Sequence, residues 1–155
     1  MGITMQRTVS AWYGNIWLSQ DINTNTEGIG MNVIERNENL ARDIHSWLVE
    51  KELWHGCTLY FNGKAWSYYN NWNNVECVKT SDETYEFDNK WAEDYLEFGN
   101  NRTVTLSFEG SDLYDIIGDF GYYFPETYQE FGDLFKKYGM FYELGDSWYC
   151  AAYED

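Results

Sequence analysis

Residues 57–69 read CTLYFNGKAWSYY, and this stretch predicts a β-hairpin. Residues 57–61 and 64–69 are rich in aromatic and other apolar side chains, as expected of strands. Asn62 and Gly63 between them supply the two positive φ angles that a type I′ turn requires. Because such a turn joins neighbouring antiparallel strands, we expect the sheet of this protein to be largely antiparallel.

Outward from this hairpin, strand and helix patterns follow one another along the chain. Strands are predicted at residues 8–18, 75–78 and 103–108, and a second hairpin at 140–143 and 148–153 around a turn at 144–147. Residues 89–98 are ambiguous, although the spacing of Trp91, Tyr95 and Phe98 favours a helix. A first amphipathic helix, ending near Gly56, is predicted from Ile34, Leu40, Ala41, Ile44, Trp47 and Leu48.

Two further helices are predicted between residues 111 and 139. Ser111 suits an N-cap, and Leu113, Ile116, Ile117 and Phe120 then share one helical face. Pro125 fits a first helical position, and the apolar spacing continues through Phe124, Tyr128, Phe131, Phe135 and Tyr138 until Gly139. We therefore expect the 155 residues to form a single α+β domain, with two β-hairpins and three to four amphipathic helices on a largely antiparallel sheet.

The charge of the chain is strongly negative and unevenly distributed. Asp and Glu number 26 against 10 Lys and Arg, which gives a net charge of −16. Of this charge, −14 belongs to residues 76–155, so the acidic face is expected there. Direct binding to nucleic acid or to an anionic membrane is not expected, because both would repel the protein.

The chain ends and the cysteines indicate a reducing compartment. The first ten residues lack the apolar stretch of a signal peptide, and no run approaches the roughly 18 apolar residues that cross a bilayer. Three cysteines, Cys57, Cys77 and Cys150, are an odd number at wide spacing, which is typical of reduced thiols rather than of a disulfide framework. We therefore expect a cytoplasmic protein.

No pattern predicts a metal, a cofactor or a catalytic group. The Gly28–Gly30 pair has Val33 where a dinucleotide loop needs its third glycine. If an EF-hand loop began at Asp82, its sixth position, which needs glycine, would be Phe87. The soft ligands His45, His55, Cys57 and Cys77 lack the spacing of a zinc site, and no serine or cysteine has the signature of a nucleophile. We expect a protein that is not an enzyme.

The acidic residues of the second half are spaced in rows. Like charges three or four residues apart on a helix lower its stability. A surface selected for stability alone would therefore alternate lysine with these acidic residues. Carboxylates about 5–6 Å apart resemble the charge repeat of a nucleic-acid backbone. A plain solvated acidic face, favoured near helix N-termini by the macrodipole, is the alternative. The predicted partner-binding residues are Asp112, Asp115 and Asp119 on one helix, Glu126, Glu130 and Asp133 on the next, and Glu93 and Glu97 if residues 89–98 are helical.

In size, acidity, aromatic content and lack of catalytic motifs, the chain resembles the anti-CRISPR and antirestriction proteins that phages and mobile elements use against host defence. The resemblance concerns mainly residues 76–155. It implies a DNA mimic that acts in the host cytosol and occupies the basic nucleic-acid groove of a defence nuclease. Exposed Tyr or Trp side chains beside the acid are then expected to supply the desolvated anchors.

Two other functions and one assembly state stay open from the sequence. An immunity or antitoxin-like protein would use the same acidity to neutralise a basic toxin. A carbohydrate-binding module would use the aromatic and Asn-rich stretch WSYYNNWNN at residues 66–74 as a stacking platform. A homodimer is the third open point, because surplus aromatic residues cover an interface as readily as a core.

Overall fold

The computed structural model describes residues 6–13, 16–23, 31–73, 75–80 and 82–155. Within these ranges the protein is α+β: seven strands form one open antiparallel sheet, and three α-helices accompany it. The predicted fold class is therefore confirmed. No helix in the described part of the chain is long and apolar enough to cross a membrane.

The first two strands form a hairpin of their own. β1 (Gln6–Tyr13) and β2 (Ile16–Asn23) pair in antiparallel register, with Gln6 opposite Asn23 and Tyr13 opposite Ile16. The prediction of one strand over residues 8–18 is wrong, because this range belongs to two strands, β1 and β2, that run in opposite directions. Strand-forming side chains lie in both strands, so composition alone does not mark the division between them.

The predicted hairpin at residues 57–69 lies near the middle of the seven-stranded sheet. β3 (Thr58–Phe61) and β4 (Lys64–Ser67) pair as expected, and Asn62 and Gly63 have φ values of 51° and 76°. The other five strands are β5 (Val78–Thr80), β6 (Thr84–Asp88), β7 (Val104–Ser107), β8 (Met140–Asp146) and β9 (Tyr149–Glu154). Their order across the sheet is β5-β6-β4-β3-β7-β9-β8. The predicted strand at 103–108 and the C-terminal hairpin are confirmed, but the turn predicted at 144–147 is wrong, because β8 continues to Asp146 and the turn lies at residues 147–148.

The segment between β4 and β7 differs most from expectation. The strand predicted at residues 75–78 begins only at Val78, and β6 follows it without having been predicted. Most of the residues that an EF-hand loop would need lie in or next to β6, where Phe87 is fully buried. This segment is therefore extended and paired with β4, which is incompatible with a calcium-binding loop.

The longest helix, α1 (Val33–Glu50), carries the predicted apolar stripe. Asn32 caps its first turn, where the side-chain oxygen accepts a backbone N–H at 2.8 Å. The helix ends at the C-cap Lys51, so the predicted end near Gly56 is wrong. Gly56 instead has a φ of 79° and packs so closely against Gly110 that a side chain there would collide with backbone atoms.

Two shorter helices follow β7. α2 (Leu113–Ile117) has five residues, and the Ser111 hydroxyl accepts the backbone N–H of its first residue at 3.1 Å. α3 (Pro125–Lys136) begins at the predicted proline. The prediction that the first of these helices reaches Phe120 is wrong, because Phe120 has a φ of 56° and lies outside the right-handed helical region.

The main core lies between the helices and one face of the sheet. α1 contacts β3, β7 and α3, and α3 contacts β8. Leu59, Leu106 and Cys150 are fully buried and lie opposite one another across β3, β7 and β9. Leu48 of α1 and Phe131 of α3 are fully buried in the same cluster. The two longer helices therefore depend on each other and on the sheet for burial of their apolar sides.

The opposite face of the sheet carries a second, smaller core. Tyr60 and Ala65, which are cross-strand partners in β3 and β4, belong to it. Ala92 and Leu96 from the segment after β6 cover them, and Trp72 packs against the cluster. Part of the aromatic excess therefore fills the interior on both faces of the sheet, as large rings do in compact cores.

Candidate functional site

The first predicted carboxylate row is shorter than its sequence spacing indicated. Asp112 and Asp115 are exposed at the start of α2 and within it. Asp119 lies beyond the helix, is partly buried, and accepts the backbone N–H of Gly121 at 3.0 Å. The prediction of three carboxylates on one helical face is therefore wrong for Asp119, because α2 ends at Ile117.

The second predicted row does lie on a helix, but two of its members already have partners. Glu130 accepts hydrogen bonds from Lys51 at 2.9 Å and from Trp47 Nε1 at 3.2 Å. The bond from Lys51, with that from Trp47, lowers the pKa of Glu130. Asp133 accepts from Gln129 at 2.9 Å and lies 3.8 Å from Lys136. Glu130 thus ties α3 to α1, and Glu126 is the member of the row that makes no ion pair with a described residue.

The predicted pair of Glu93 and Glu97 does not lie on an α-helix. Only Ala92–Asp94 forms a turn of 3₁₀ helix, so the helix predicted at residues 89–98 is wrong. Burial of Ala92 and Leu96 in the second core holds this segment against the sheet as a compact loop. The Glu93 carboxylate accepts the backbone N–H of Asn101 at 3.1 Å, and Glu97 is exposed to solvent.

The structure leaves a group of aromatic rings exposed in the same stretch of chain as the first two rows of acids. Tyr122 and Tyr123 are 79% and 73% exposed, and Phe120 is 73% exposed. Most large aromatic side chains bury their rings, so an exposed cluster of them marks a candidate binding surface. We call the following residues the acidic-aromatic surface: Asp112, Tyr114, Asp115, Phe120, Tyr122, Tyr123, Phe124 and Glu126, all of which are exposed.

Sequence reasoning missed these rings because it assigned Phe120 and Phe124 to apolar helix stripes. A local signal was nevertheless present. Residues 120–125 read FGYYFP, with four aromatic side chains in five positions before a proline that begins a helix. A helix that starts at Pro125 leaves the preceding residues in a connection, where fewer neighbours cover their side chains.

The connection that carries the rings is held in a defined conformation. Gly121 has a φ of 79° and lies against Tyr128, whose Cγ would be 2.6 Å from a Cβ at this position. The bond from its N–H to Asp119 closes the turn around Phe120. Phe120 itself has a left-handed φ of 56°, a conformation that costs a non-glycine residue about 1–2 kcal/mol. These contacts present the exposed rings on a supported loop.

Two tryptophan rings of the stretch proposed as a carbohydrate platform, those of Trp66 and Trp72, are partly buried against other rings. Trp66 packs edge-on against Phe61 and donates to Glu86 at 2.8 Å. Trp72, which packs against the second core, lies edge-on to the fully buried ring of Phe87. Tyr69 is exposed, with its hydroxyl 3.1 Å from His55. The rings of residues 66–72 therefore do not form one flat exposed surface.

Two of the four candidate metal ligands, His45 and Cys57, are buried. No group of three or more His, Cys, Asp or Glu side chains within these ranges is arranged to hold a metal ion. His45 lies against Trp54 and Trp66, with Nε2 at 2.8 Å from the Thr84 hydroxyl. Burial raises the pKa of the Cys57 thiol to about 12, which disfavours the reactive thiolate. The glycine pair at residues 28–30 lies outside the described residues.

The acidic-aromatic surface has the chemistry to bind cations. Its carboxylates accept hydrogen bonds from lysine and arginine, and its rings stack with guanidinium groups. The three carboxylates Asp112, Asp115 and Glu126 make no ion pair with any described residue, so they are not already neutralised. Comparison of the chain with protein-family models, with curated proteins and with solved structures finds no match.

Proposed function

We propose that this protein is a non-enzymatic inhibitor that uses the acidic-aromatic surface to bind the basic nucleic-acid groove of a host defence nuclease. The observation that supports the proposal most directly is that residues 112–126 expose five aromatic rings together with three carboxylates that make no ion pair with any described residue. An acidic face that serves only solubility has no need of exposed aromatic rings.

The two kinds of side chain contribute differently to binding. Carboxylates attract a basic partner over long distances, which speeds association and makes it depend on ionic strength. Aromatic side chains supply much of the affinity of protein interfaces, because they bury a large apolar area in the complex. Tyr122 and Tyr123 lie edge to face with ring centroids 4.9 Å apart, so they form a compact pair for such contact.

The proposed mechanism is competition with nucleic acid. Asp112, Asp115 and Glu126 would pair with lysine and arginine side chains that otherwise hold phosphates. Asp119, Glu130 and Asp133 contribute to the negative field, while Asp119 and Glu130 also support the fold through the bonds described above. A nuclease occupied in this way loses access to its substrate without any chemical reaction by the inhibitor.

Affinity capture from host lysate at low and at high salt, with mass spectrometry of the captured proteins, identifies the partner. We expect a nucleic-acid-binding nuclease that is released at high salt, and we expect nucleic acid to displace it. If nuclease, nucleic acid and this protein form a ternary complex without mutual weakening, competition is wrong. Capture of a basic toxin would assign the surface to an immunity protein instead.

Charge reversal then locates the surface. The triple variant Asp112→Lys, Asp115→Lys and Glu126→Lys should lose binding and inhibition. A matched triple at other exposed acids, Glu50→Lys, Asp88→Lys and Asp94→Lys, changes the net charge by the same amount. We expect the matched triple to retain binding apart from a modest loss of association rate. Equal losses in both triples would mean that overall charge, and not this surface, governs binding.

A further inference from the structure

An open groove of about 510 Å³ lies next to the acidic-aromatic surface, between α3 and β8. Its volume falls within the range of about 300–1,000 Å³ that is typical of ligand pockets. Gln129, Lys136 and Glu143 are the strongly polar side chains of its lining. The apolar and aromatic side chains of the lining include Ile117, Phe120, Tyr128, Phe141 and Leu144.

A glycine lies on the α3 side of this groove. Gly132 is in the interior of α3, where glycine costs about 0.5–1 kcal/mol relative to alanine. Its φ is not left-handed, and a Cβ built on it would meet no atom within 4 Å. Neither backbone conformation nor close packing therefore explains a glycine here. Its effect on the structure is to leave the groove wider at this point.

One wall of the groove belongs to the acidic-aromatic surface itself. Phe120 lines the groove and is exposed, and it is positioned by the turn that Asp119 and Gly121 close. Tyr128, against which Gly121 packs, lines the groove as well. The groove and the surface are therefore continuous through Phe120.

The lining of the groove holds one carboxylate, Glu143, and one lysine, Lys136, so the preference for a basic occupant comes from the acidic segment that supplies the lining. Residues 112–155 contain ten carboxylates and two lysines. Of these lysines, Lys137 is bonded to Asp43 at 2.9 Å and Lys136 lies 3.8 Å from Asp133. A second copy of the chain would bring the same negative charge against this face and would be repelled.

We propose that the groove receives an apolar side chain from a basic segment of the partner protein, while lysine or arginine residues on either side of that side chain meet the surrounding carboxylates. This inference rests on the proposed function, which requires a basic partner. The inserted side chain would act as an anchor, because a few large side chains in desolvated pockets supply most of the binding free energy of protein interfaces.

Two synthetic peptides separate the anchor from the charge. One has two arginines at each end and a central tryptophan, and the other has serine in place of the tryptophan. Binding is measured by titration into ¹⁵N-labelled protein. We expect the tryptophan peptide to bind about tenfold more tightly, as for a buried aromatic anchor, and to shift the amide signals of Phe120, Gly132 and Leu144.

Substitutions at Gly132 provide a matched control. Gly132→Leu places a branched side chain in the groove and should remove most of the advantage of the tryptophan peptide, while the serine peptide binds as before. Gly132→Ala adds one carbon atom and should preserve most of the advantage. A retained amide spectrum in both variants shows that the fold is intact.

The outcomes distinguish this inference from the proposed function. Equal binding of both peptides, with shifts confined to residues 112–115 and 122–126, would overturn the anchor and leave the acidic-aromatic surface in place. No binding of either peptide at low salt would overturn the basic partner as well. Concentration-dependent dimers in sedimentation experiments, lost in Gly132→Leu, would assign the groove to a second copy and overturn the inference.

Discussion

The substitution Gly132→Ala is expected to stabilise the protein. Glycine inside a helix is less favourable than alanine by about 0.5–1 kcal/mol, because its backbone loses more conformational freedom on folding. The added Cβ meets no atom within 4 Å, so no steric clash offsets this gain. We expect the free energy of unfolding to rise by about 0.5–1 kcal/mol, which corresponds to an increase of about 1–4 °C in Tm for a chain of this length.

Urea unfolding followed by tryptophan fluorescence measures this change, and an unchanged m-value would show that the variant has kept its compactness. Gly121→Ala is the control with the opposite sign. Gly121 has a φ of 79°, and a Cβ at this position would lie 2.6 Å from Cγ of Tyr128. The variant should therefore lower the free energy of unfolding by at least about 1–2 kcal/mol. Destabilisation by Gly132→Ala would show that the groove is closed at that position and would refute the reasoning from its open geometry.

Two further predictions concern His45 and Asp119. Burial lowers the pKa of His45 below its ordinary 6.5, so the unfolded chain binds a proton first, and stability should fall as the pH drops from about 6.5 towards the lowered native pKa. His45→Gln should reduce this loss in urea unfolding at pH 7.5 and 5.5, and an identical pH dependence in both proteins would contradict it. Asp119→Ala should cost about 1 kcal/mol by removing the acceptor for the Gly121 N–H, whereas Asp119→Asn keeps an acceptor and should be nearly neutral in thermal unfolding. Equal losses in the two variants would mean that the charge matters and the bond does not.

Local chemistry made part of the fold predictable. Asn62 and Gly63 specify a tight hairpin because few residue pairs accept two positive φ angles. Both residues have positive φ angles in the structure. Pro125 fits the first turn of a helix because its missing N–H would be unpaired in that turn. The apolar periodicity of α1 was equally clear, since a long helix buries one continuous stripe.

The helix predicted at residues 89–98 is wrong because tertiary contacts outweigh the local pattern there. Trp91, Tyr95 and Phe98 have helical spacing, yet Ala92 and Leu96 are the residues of that segment that the second core buries. Spacing identifies a set of apolar residues without indicating which of them the rest of the protein will cover.

The sequence by itself determined the α+β class, the hairpin register at its turn, and a negative charge concentrated in residues 76–155. Only the tertiary structure decided which acids and rings face solvent. Packing of α3 on α1 brings Glu130 to Lys51, and the left-handed turn at Phe120 directs an aromatic ring outward. The physical reason is that periodicity describes one element, whereas exposure depends on the elements that pack against it.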